Sequence, residues 1–247
     1  MKIFAISDLH LSLTSPFDPE RKETPAEGKP MSVFGTQWNN HMLRIEDAWK
    51  KTVSSGDVVL IAGDISWAMK PEEARYDLDF ISHLPGRKIM IKGNHDLWWH
   101  SVGKIRKMLP DGIEVIQNDA VILPDLAVCG SRLWLLPSSS DFKKDDEPIY
   151  RRELIRMELS LKAAMGKPVI AMTHFMPIGE KGERNEVIDL FRDYHVKKAV
   201  YGHLHDKSHA IAVEGEKHGI SFYLTSADYI SFCPRLIAEL DEDQKMF

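Results

Sequence analysis

Five short apolar runs, each closed by polar residues, set the pattern of the chain. Ile3-Phe4-Ala5-Ile6 leads into Asp8 and His10, and Val58-Val59-Leu60-Ile61-Ala62 into Gly63-Asp64. Lys88-Ile89-Met90-Ile91 leads into Gly93-Asn94-His95-Asp96, Val169-Ile170-Ala171-Met172 into Thr173-His174, and Ala199-Val200-Tyr201 into Gly202-His203-Leu204-His205. Unbroken apolar runs of this length read as strands buried on both faces. Open α/β sheets gather their chemistry at the carboxyl ends of strands. The pattern therefore predicts strands that carry carboxylates, an amide and imidazoles to one edge.

Helical periodicity fills the intervals. Ile45, Ala48, Trp49 and Thr52 predict a helix over about 42–54, and Pro71 opens another whose charged face is Glu72, Glu73 and Arg75. Trp98, Trp99 and His100 read as the opening of a short helix running toward Leu109-Pro110. Leu154, Met157, Leu161 and Ala164 mark a long helix stopped by Gly166, and Val187, Leu190, Phe191 and Tyr194 a last amphipathic one. Three short β-like runs within 113–136 are expected to be antiparallel strands, with turns at Asn118-Asp119 and Pro124-Asp125. Ala210–Val213, Ile220–Leu224 and Leu236–Leu240 are expected to close the fold in the same way. This order implies an α/β protein with a pair of mixed sheets and helices outside.

Two stretches break the periodicity. Residues 14–40 carry Pro16, Pro19, Pro25 and Pro30 among charges and glycines, so neither helix nor strand persists there. A loop of that length that starts beside Asp8 and His10 is expected to be a lid or substrate rim. It ends at Trp38-Asn39-Asn40-His41, where His41 is read as a surface or helix-capping residue ahead of a site residue. The second loop, 137–148, is polar and holds Ser138-Ser139-Ser140.

Composition narrows the class without naming a function. With 247 residues, 43% hydrophobic and 28% charged, the chain is expected to form one globular domain over 1–247. A net charge of -5 argues against a surface for long nucleic acid, which is normally basic. Cys129 and Cys233 lie in mostly apolar runs and are expected to be buried free thiols. The amino terminus resembles neither a secretory signal nor a membrane span, so a cytoplasmic protein with no membrane partner is expected. Oligomeric state is not legible.

Asp8, His10, Asp64, Asn94, His174, His203 and His205 are oxygen and imidazole donors with no thiolate, a set suited to manganese, iron, zinc or nickel, with manganese first. Seven donors are too many for one tetrahedral ion, whereas two ions sharing one carboxylate would use them all. Each motif alone has a plainer reading: Asp8-Leu9-His10, for instance, is also an aspartate-capped turn.

Taken together, Asp8-Leu9-His10, Gly63-Asp64, Gly93-Asn94-His95-Asp96, His174 and Gly202-His203-Leu204-His205 resemble the calcineurin-like metallophosphoesterase superfamily, whose pattern runs DxH, GD, GNH[DE], H and GHxH. All the blocks are present in order. The resemblance implies a four-layer αββα sandwich, two packed mixed β-sheets flanked by helices. It implies one ion held by Asp8, His10, Asp64 and His205, and a second held by Asp64, Asn94, His174 and His203, with Asp64 as the bridge. His95 would act as general acid, with Asp96 orienting it or favouring its protonated form; a helix cap is the plainer reading of Asp96. The activity implied is hydrolysis of a phosphate mono- or diester by a hydroxide bridging two divalent transition-metal ions, on a small phosphoester or nucleotide-type substrate.

Subgroups differ at particular residues. Ile65-Ser66-Trp67-Ala68-Met69 stands where the protein serine/threonine phosphatases carry Asp-Arg-Gly, and His95 where the lipid A pathway pyrophosphohydrolases carry arginine, so both are disfavoured. The alternative is an inactive scaffold of this fold that binds a protein partner, like the retromer subunit; such a scaffold lacks the histidine equivalent to His95. Trp67, Trp98 and Trp99 are candidates to stack on a base, with core or wall packing the simpler reading. Arg21, Lys22, Lys29 and Arg132 are candidate phosphate contacts, with solvated surface the simpler reading.

Overall fold

Alternate residues of the central strands face different cores, and this builds the layers. In the computed structural model, which describes residues 1–21 and 25–240, the chain runs β1 (Lys2–Ile6), α1 (His41–Thr52), β2 (Val58–Ile61), α2 (Pro71–His83), β3 (Arg87–Met90), α3 (Val102–Met108) and β4 (Ile113–Val115). It continues β5 (Ala120–Ile122), β6 (Ala127–Ser131), α4 (Glu147–Lys162), β7 (Val169–Thr173), α5 (Glu186–Asp193), β8 (Val196–Tyr201), β9 (Gly215–Lys217), β10 (Ile220–Leu224) and β11 (Arg235–Glu239). Ile3, Ala5, Val58, Leu60 and Ile89 meet Val128, Ile170, Met172 and Val200 in a core between two sheets. Their neighbours Phe4, Ile6, Val59, Ile61 and Met90 face outward onto Ile45, Trp49, Leu78 and Phe80 of α1 and α2. Ala127, Cys129, Ala171 and Tyr201 do the same on the other side, against Met157, Leu161, Ile188 and Phe191 of α4 and α5. The result is the four-layer αββα sandwich.

The first sheet has the order β11-β1-β2-β3-β4, and the second β5-β6-β7-β8-β10-β9. Within them β1 to β4 are parallel, as are β6, β7, β8 and β10. Among the described residues only β11, β5 and β9 run against their neighbours. All of the strands that lead into candidate ligands therefore pair in parallel with one another within their sheets, and each sheet gathers its own polar turns at one end.

Several expectations are corrected. The β4 run is a parallel strand of the first sheet, because α3 carries the chain back over the sheet as a crossover; of the three runs in 113–136, β5 and β6 alone pair antiparallel. The run Ala210–Val213 is not a strand. Residues Asp206–Ile211 form a 3-10 turn, held where Asp228 accepts the Asp206 amide at 3.2 Å and contacts His209 at 3.3 Å. Helix α3 starts at Val102, after Trp98 and Trp99, since both indoles turn into the core: Trp98 Nε1 donates to Asp96 at 3.1 Å and Trp99 Nε1 to Gln117 at 3.0 Å. His41 is buried rather than on the surface, its Nε2 3.1 Å from the Leu9 carbonyl. Cys129 is buried, but Cys233 is only partly so; both are free. Lys22 lies outside the described residues.

The segment 14–40 forms neither α-helix nor strand among its described residues, yet it is anchored. Two 3-10 turns, Met31–Phe34 and Thr36–Trp38, follow a bridge between Leu13 and Glu27. Phe17 packs on Phe80 with ring centroids 5.1 Å apart, and Arg21 pairs with Glu46. Among the described residues no helix is long and apolar enough to cross a membrane.

Where this segment leaves β1, Asp77 of α2 holds it down, accepting the Leu13 amide at 2.8 Å and the Ser66 hydroxyl. Burial drives the Asp77 pKa up to about 7 in spite of these donors. The folded chain thus binds this proton more tightly than the unfolded chain, for which 3.8 applies. Its contribution to stability is full below about pH 4 and is lost as pH rises to about 7, a change on the order of a few kcal/mol. Denaturant melts of Asp77→Asn, which keeps the acceptor for Leu13, should therefore show a smaller drop in stability between pH 5 and pH 8 than the parent. Equal drops would place the titration elsewhere.

Candidate metal centre

Three of the five turns that carry candidate ligands, those after β1, β2 and β8, leave their strands through an unusual backbone angle. Asp8 (φ 59°), His10 (φ 46°), Asp64 (φ 52°) and His203 (φ 71°) are all left-handed, at a cost of about 1–3 kcal/mol each for a residue with a Cβ. Cross-links between the turns hold them there. The Asp8 amide donates to the Gly63 carbonyl at 2.9 Å, His10 to Asp64 at 3.0 Å and Gly202 to His174 at 3.0 Å. The two sheets are stitched together at this edge through Thr225, whose carbonyl accepts the Ser7 amide at 2.8 Å and whose own amide donates to Tyr201 at 2.8 Å. Gly63 and Gly93 sit back to back: a Cβ on Gly63 would lie 2.8 Å from the Gly93 Cα, and one on Gly93 would run into the Asp64 carboxylate and amide. Any other residue would push the second and third turns apart.

The folded chain brings the predicted donors together around Asp64. Its Oδ2 lies 3.4 Å from His174 Nε2, 3.9 Å from His10 Nε2 and 4.0 Å from His95 Nε2. Asp8 Oδ1 is 3.1 Å from His205 Nε2 and 4.0 Å from His10 Nε2. Asn94 Oδ1 meets His174 Nε2 at 2.7 Å. Asp8, His10 and His205 form one group whose donor atoms all lie within 4.8 Å of one another, and Asp8, Asp64 and His174 form another. His203 is less tightly drawn in. Its amide donates to Asp8 at 3.1 Å, while its ring lies 5.2 Å from that of His174 and 4.0 Å from that of Phe175.

These residues fit divalent cations. The buried Nδ1 of His10 has no hydrogen-bond partner among the described residues. His174 donates from Nδ1 to the Ala62 carbonyl at 3.0 Å, which directs its Nε2 to the cluster.

Electrostatics points the same way. Burial would lower the His174 pKa, but Asp64 and Asp8 raise it to about 9. Burial is likewise overcome at His205, which Asp8 and Asp228 raise to about 10. Burial raises Asp8 and Asp64, yet the surrounding imidazoles hold both below the usual carboxylate range, Asp64 at about 2. His10 and His203, where burial wins, fall to about 4 and about 3. Without a cation, two histidine protons balance two buried carboxylates.

His95 and Asp96 part company. The His95 amide donates to Asp64 at 2.8 Å while its ring, nearly half exposed, leans on Trp67 at 4.6 Å between centroids. The Asp96 carboxylate accepts the amides of Gly93 (2.8 Å), Ile65 (2.9 Å) and Ser66 (3.1 Å) as well as the Trp98 indole. Asp96 therefore fastens the third turn to the second and reaches His95 only through that backbone. Burial, with Asp64 nearby, raises its pKa to about 6.

Sequence reasoning missed Asp228, which accepts His205 Nδ1 at 2.8 Å and turns its Nε2 toward Asp8. No spacing pattern exposes it, because it lies well past the last histidine motif in an unpatterned turn. The rim was partly foreseen. Trp67 stacks on His10 with centroids 4.7 Å apart, and Trp38 meets His205 edge-on at 5.6 Å. The Lys29 ammonium stands 3.2 Å over the Trp67 ring, and Phe34 stacks beyond it. Trp98 and Trp99 are core, as their plainer reading had it.

Two mixed sheets packed face to face between helices, with oxygen and imidazole donors from both at one edge, are the architecture of an α/β metallophosphoesterase sandwich. The chain belongs to the calcineurin-like phosphoesterase family, whose model matches residues 1–207. That span includes all the predicted ligands, His95 and Asp96, and stops short of Asp228. A search of curated proteins gives no match. Among solved structures the chain is similar to AQ665, a protein of unknown function from Aquifex aeolicus, with a TM-score of 0.52 over 95% of each chain at 14% identity. That likeness concerns the fold.

Two outcomes follow from this geometry. Loading Mn²⁺ at pH 7 should release roughly two protons per chain, since His174 and His205 must lose theirs to ligate, and affinity should rise with pH. Calorimetry in buffers of different ionisation enthalpy reads this directly; no proton release would contradict the charge balance above. Asp228→Ala should weaken metal binding about 10–100-fold by freeing the His205 ring, and unchanged affinity would make Asp228 a turn residue only.

Proposed function

We propose that the protein is a metal-dependent hydrolase of phosphate mono- or diesters acting on a small phosphoester or nucleotide-type substrate. The observation that carries this reading is the single Asp64 oxygen within 4.0 Å of three imidazoles, one of which, His95, stays open to solvent. Asp8, His10, Asp64 and His205 would hold one cation, and Asp64, Asn94, His174 and His203 a second, with manganese proposed first. When bound, such ions supply Lewis acidity toward phosphoryl oxygens and lower the pKa of water.

The chain's own residues do the rest. Asp64 and Asp8 keep their charges directed inward, so the substrate phosphate meets the cluster from the side of His95. His95 Nε2 would pass its proton to the departing oxygen, and burial, which lowers its pKa, makes the imidazolium a stronger acid. Asp96 keeps the His95 backbone in register. Trp67, Phe34 and Lys29 form one bank of the mouth, and two of these three come from 14–40, which supports that segment as the substrate rim.

Turnover of nitrophenyl phosphate with Mn²⁺, followed by a panel of alkyl monoesters, linear diesters, cyclic nucleotides and dinucleoside pyrophosphates, tests the reading. His95→Ala should cost on the order of 10²–10⁴ in rate on an alkyl ester and much less on a nitrophenyl ester, whose leaving group needs no proton. Metal content measured on the same sample should stay at about two ions per chain. Equal losses on both esters would remove the acid role. Metal binding with no turnover on any ester would favour the scaffold reading.

A further inference from the structure

Beside the metal centre lies a cavity of about 330 Å³ whose lining includes Lys92, Gln117, Arg132, Arg152, Glu153 and Arg156. None of the candidate ligands lines it, but two of its lining residues adjoin them through the backbone. Lys92 precedes Asn94 by two residues, so their Cα atoms are at most ~7 Å apart. The Arg132 carbonyl accepts the amides of His174 and Phe175, each at 3.1 Å. The cavity thus opens alongside the ends of β3, β6 and β7, next to the side of the cluster held by Asn94 and His174.

Its charge is out of balance. Glu153, only 2% exposed, is its one acid, and a single carboxylate oxygen lies 2.7 Å from Arg156, 3.4 Å from Arg132 and 3.6 Å from Arg152. Its other oxygen accepts the Ser131 hydroxyl at 3.0 Å. Lys92 adds a fourth cation, steadied by the Trp99 carbonyl at 3.1 Å. Asp119, the next acid along the chain from Gln117, is engaged by Arg106. Three guanidinium groups and an ammonium therefore surround one buried carboxylate in a protein whose net charge is -5. Local positive excess of this kind is repulsive by itself and favourable once an anion enters. Guanidinium forks match the oxygens of a phosphate in particular. Salt bridges on an ordinary helix face pair charges about one to one, and this cluster does not.

We propose that this cavity is an anion subsite which receives a second phosphoryl group of the substrate, so that preferred substrates carry two phosphoryl groups and only the one at the metal centre is hydrolysed. The assignment rests on the phosphoesterase reading for the word substrate, and on the cavity alone for anion binding.

The test has two arms. In the first, inorganic phosphate is titrated by calorimetry into metal-free protein. Arg156→Gln, which leaves Arg132 on Glu153, and Lys92→Met, which leaves the arginines in place, should each weaken binding about tenfold or more. Thermal melts matched to the parent confirm folding. In the second, Mn²⁺-loaded protein is given a monophosphate and a bisphosphate of the same alcohol. The parent should prefer the bisphosphate in kcat/KM, and both variants should lose that preference roughly tenfold, through KM rather than kcat. Phosphate binding unchanged in both variants would overturn the subsite. Weakened phosphate binding with no preference between the two substrates would also overturn it, leaving a site for free phosphate. Absence of turnover on every ester, with phosphate binding still sensitive to Arg156→Gln, would instead overturn the phosphoesterase reading and keep the anion cavity.

Discussion

Two carboxylates buried at the junction of two sheets, Asp8 and Asp64, are the constraint to which the polar edge of this protein answers. An ionised carboxylate taken out of water costs several kcal/mol unless charge and hydrogen bonds replace the solvent. Here the His203 and His95 amides, the Ser7 hydroxyl and four surrounding imidazoles do so. In the cation-free chain two of those imidazoles hold protons, and the same geometry that makes them basic makes them ready to exchange a proton for a metal ion. Stability and cation affinity at this edge are two readings of one charge balance.

Holding that arrangement takes backbone strain, concentrated in the left-handed turns at Asp8, His10, Asp64 and His203. The strain persists because hydrogen bonds between turns, and a strand-like link through Thr225, leave each turn little freedom to relax. Gly63 and Gly93 allow two turns to touch back to back, and the Asp96 carboxylate clamps the same pair through three amides. The sandwich supplies the rigidity behind this, since each parallel strand is packed on both faces before it delivers its polar residues.

The surroundings of the centre are unequal. Toward β1 and β2 the wall is aromatic, with Trp38 and Trp67 against the histidines and Lys29 capping the indole. Toward β6 and α4 it is cationic. A third recess, about 290 Å³, reaches His203 past Trp134 and Phe175. A molecule held at the Asp8–Asp64 cluster would meet a different chemistry in each direction, and such surroundings are where one fold comes to serve different functions.

The sequence by itself determined the candidate ligand set, the strands that carry it and the sandwich class. Apolar runs that end in Asp, Asn and His are a local pattern, and burial on both faces follows from the near absence of polar positions within the runs, Lys88 excepted. Local pattern also decided helices α1, α2, α4 and α5 to within a few residues. Only the tertiary structure decided that β4 joins the first sheet in parallel, that 210–213 turns as a 3-10 helix, and that His41 is buried beneath Leu9. It alone brought Asp228 to His205, placed Asp77 under the 14–40 segment, and gave Asp96 to the backbone rather than to His95. The physical reason is common to these cases. Strand direction, the partner of a buried carboxylate and the balance of charge around Glu153 depend on groups far apart along the chain, and nothing in their sequence neighbourhood records which of them will meet.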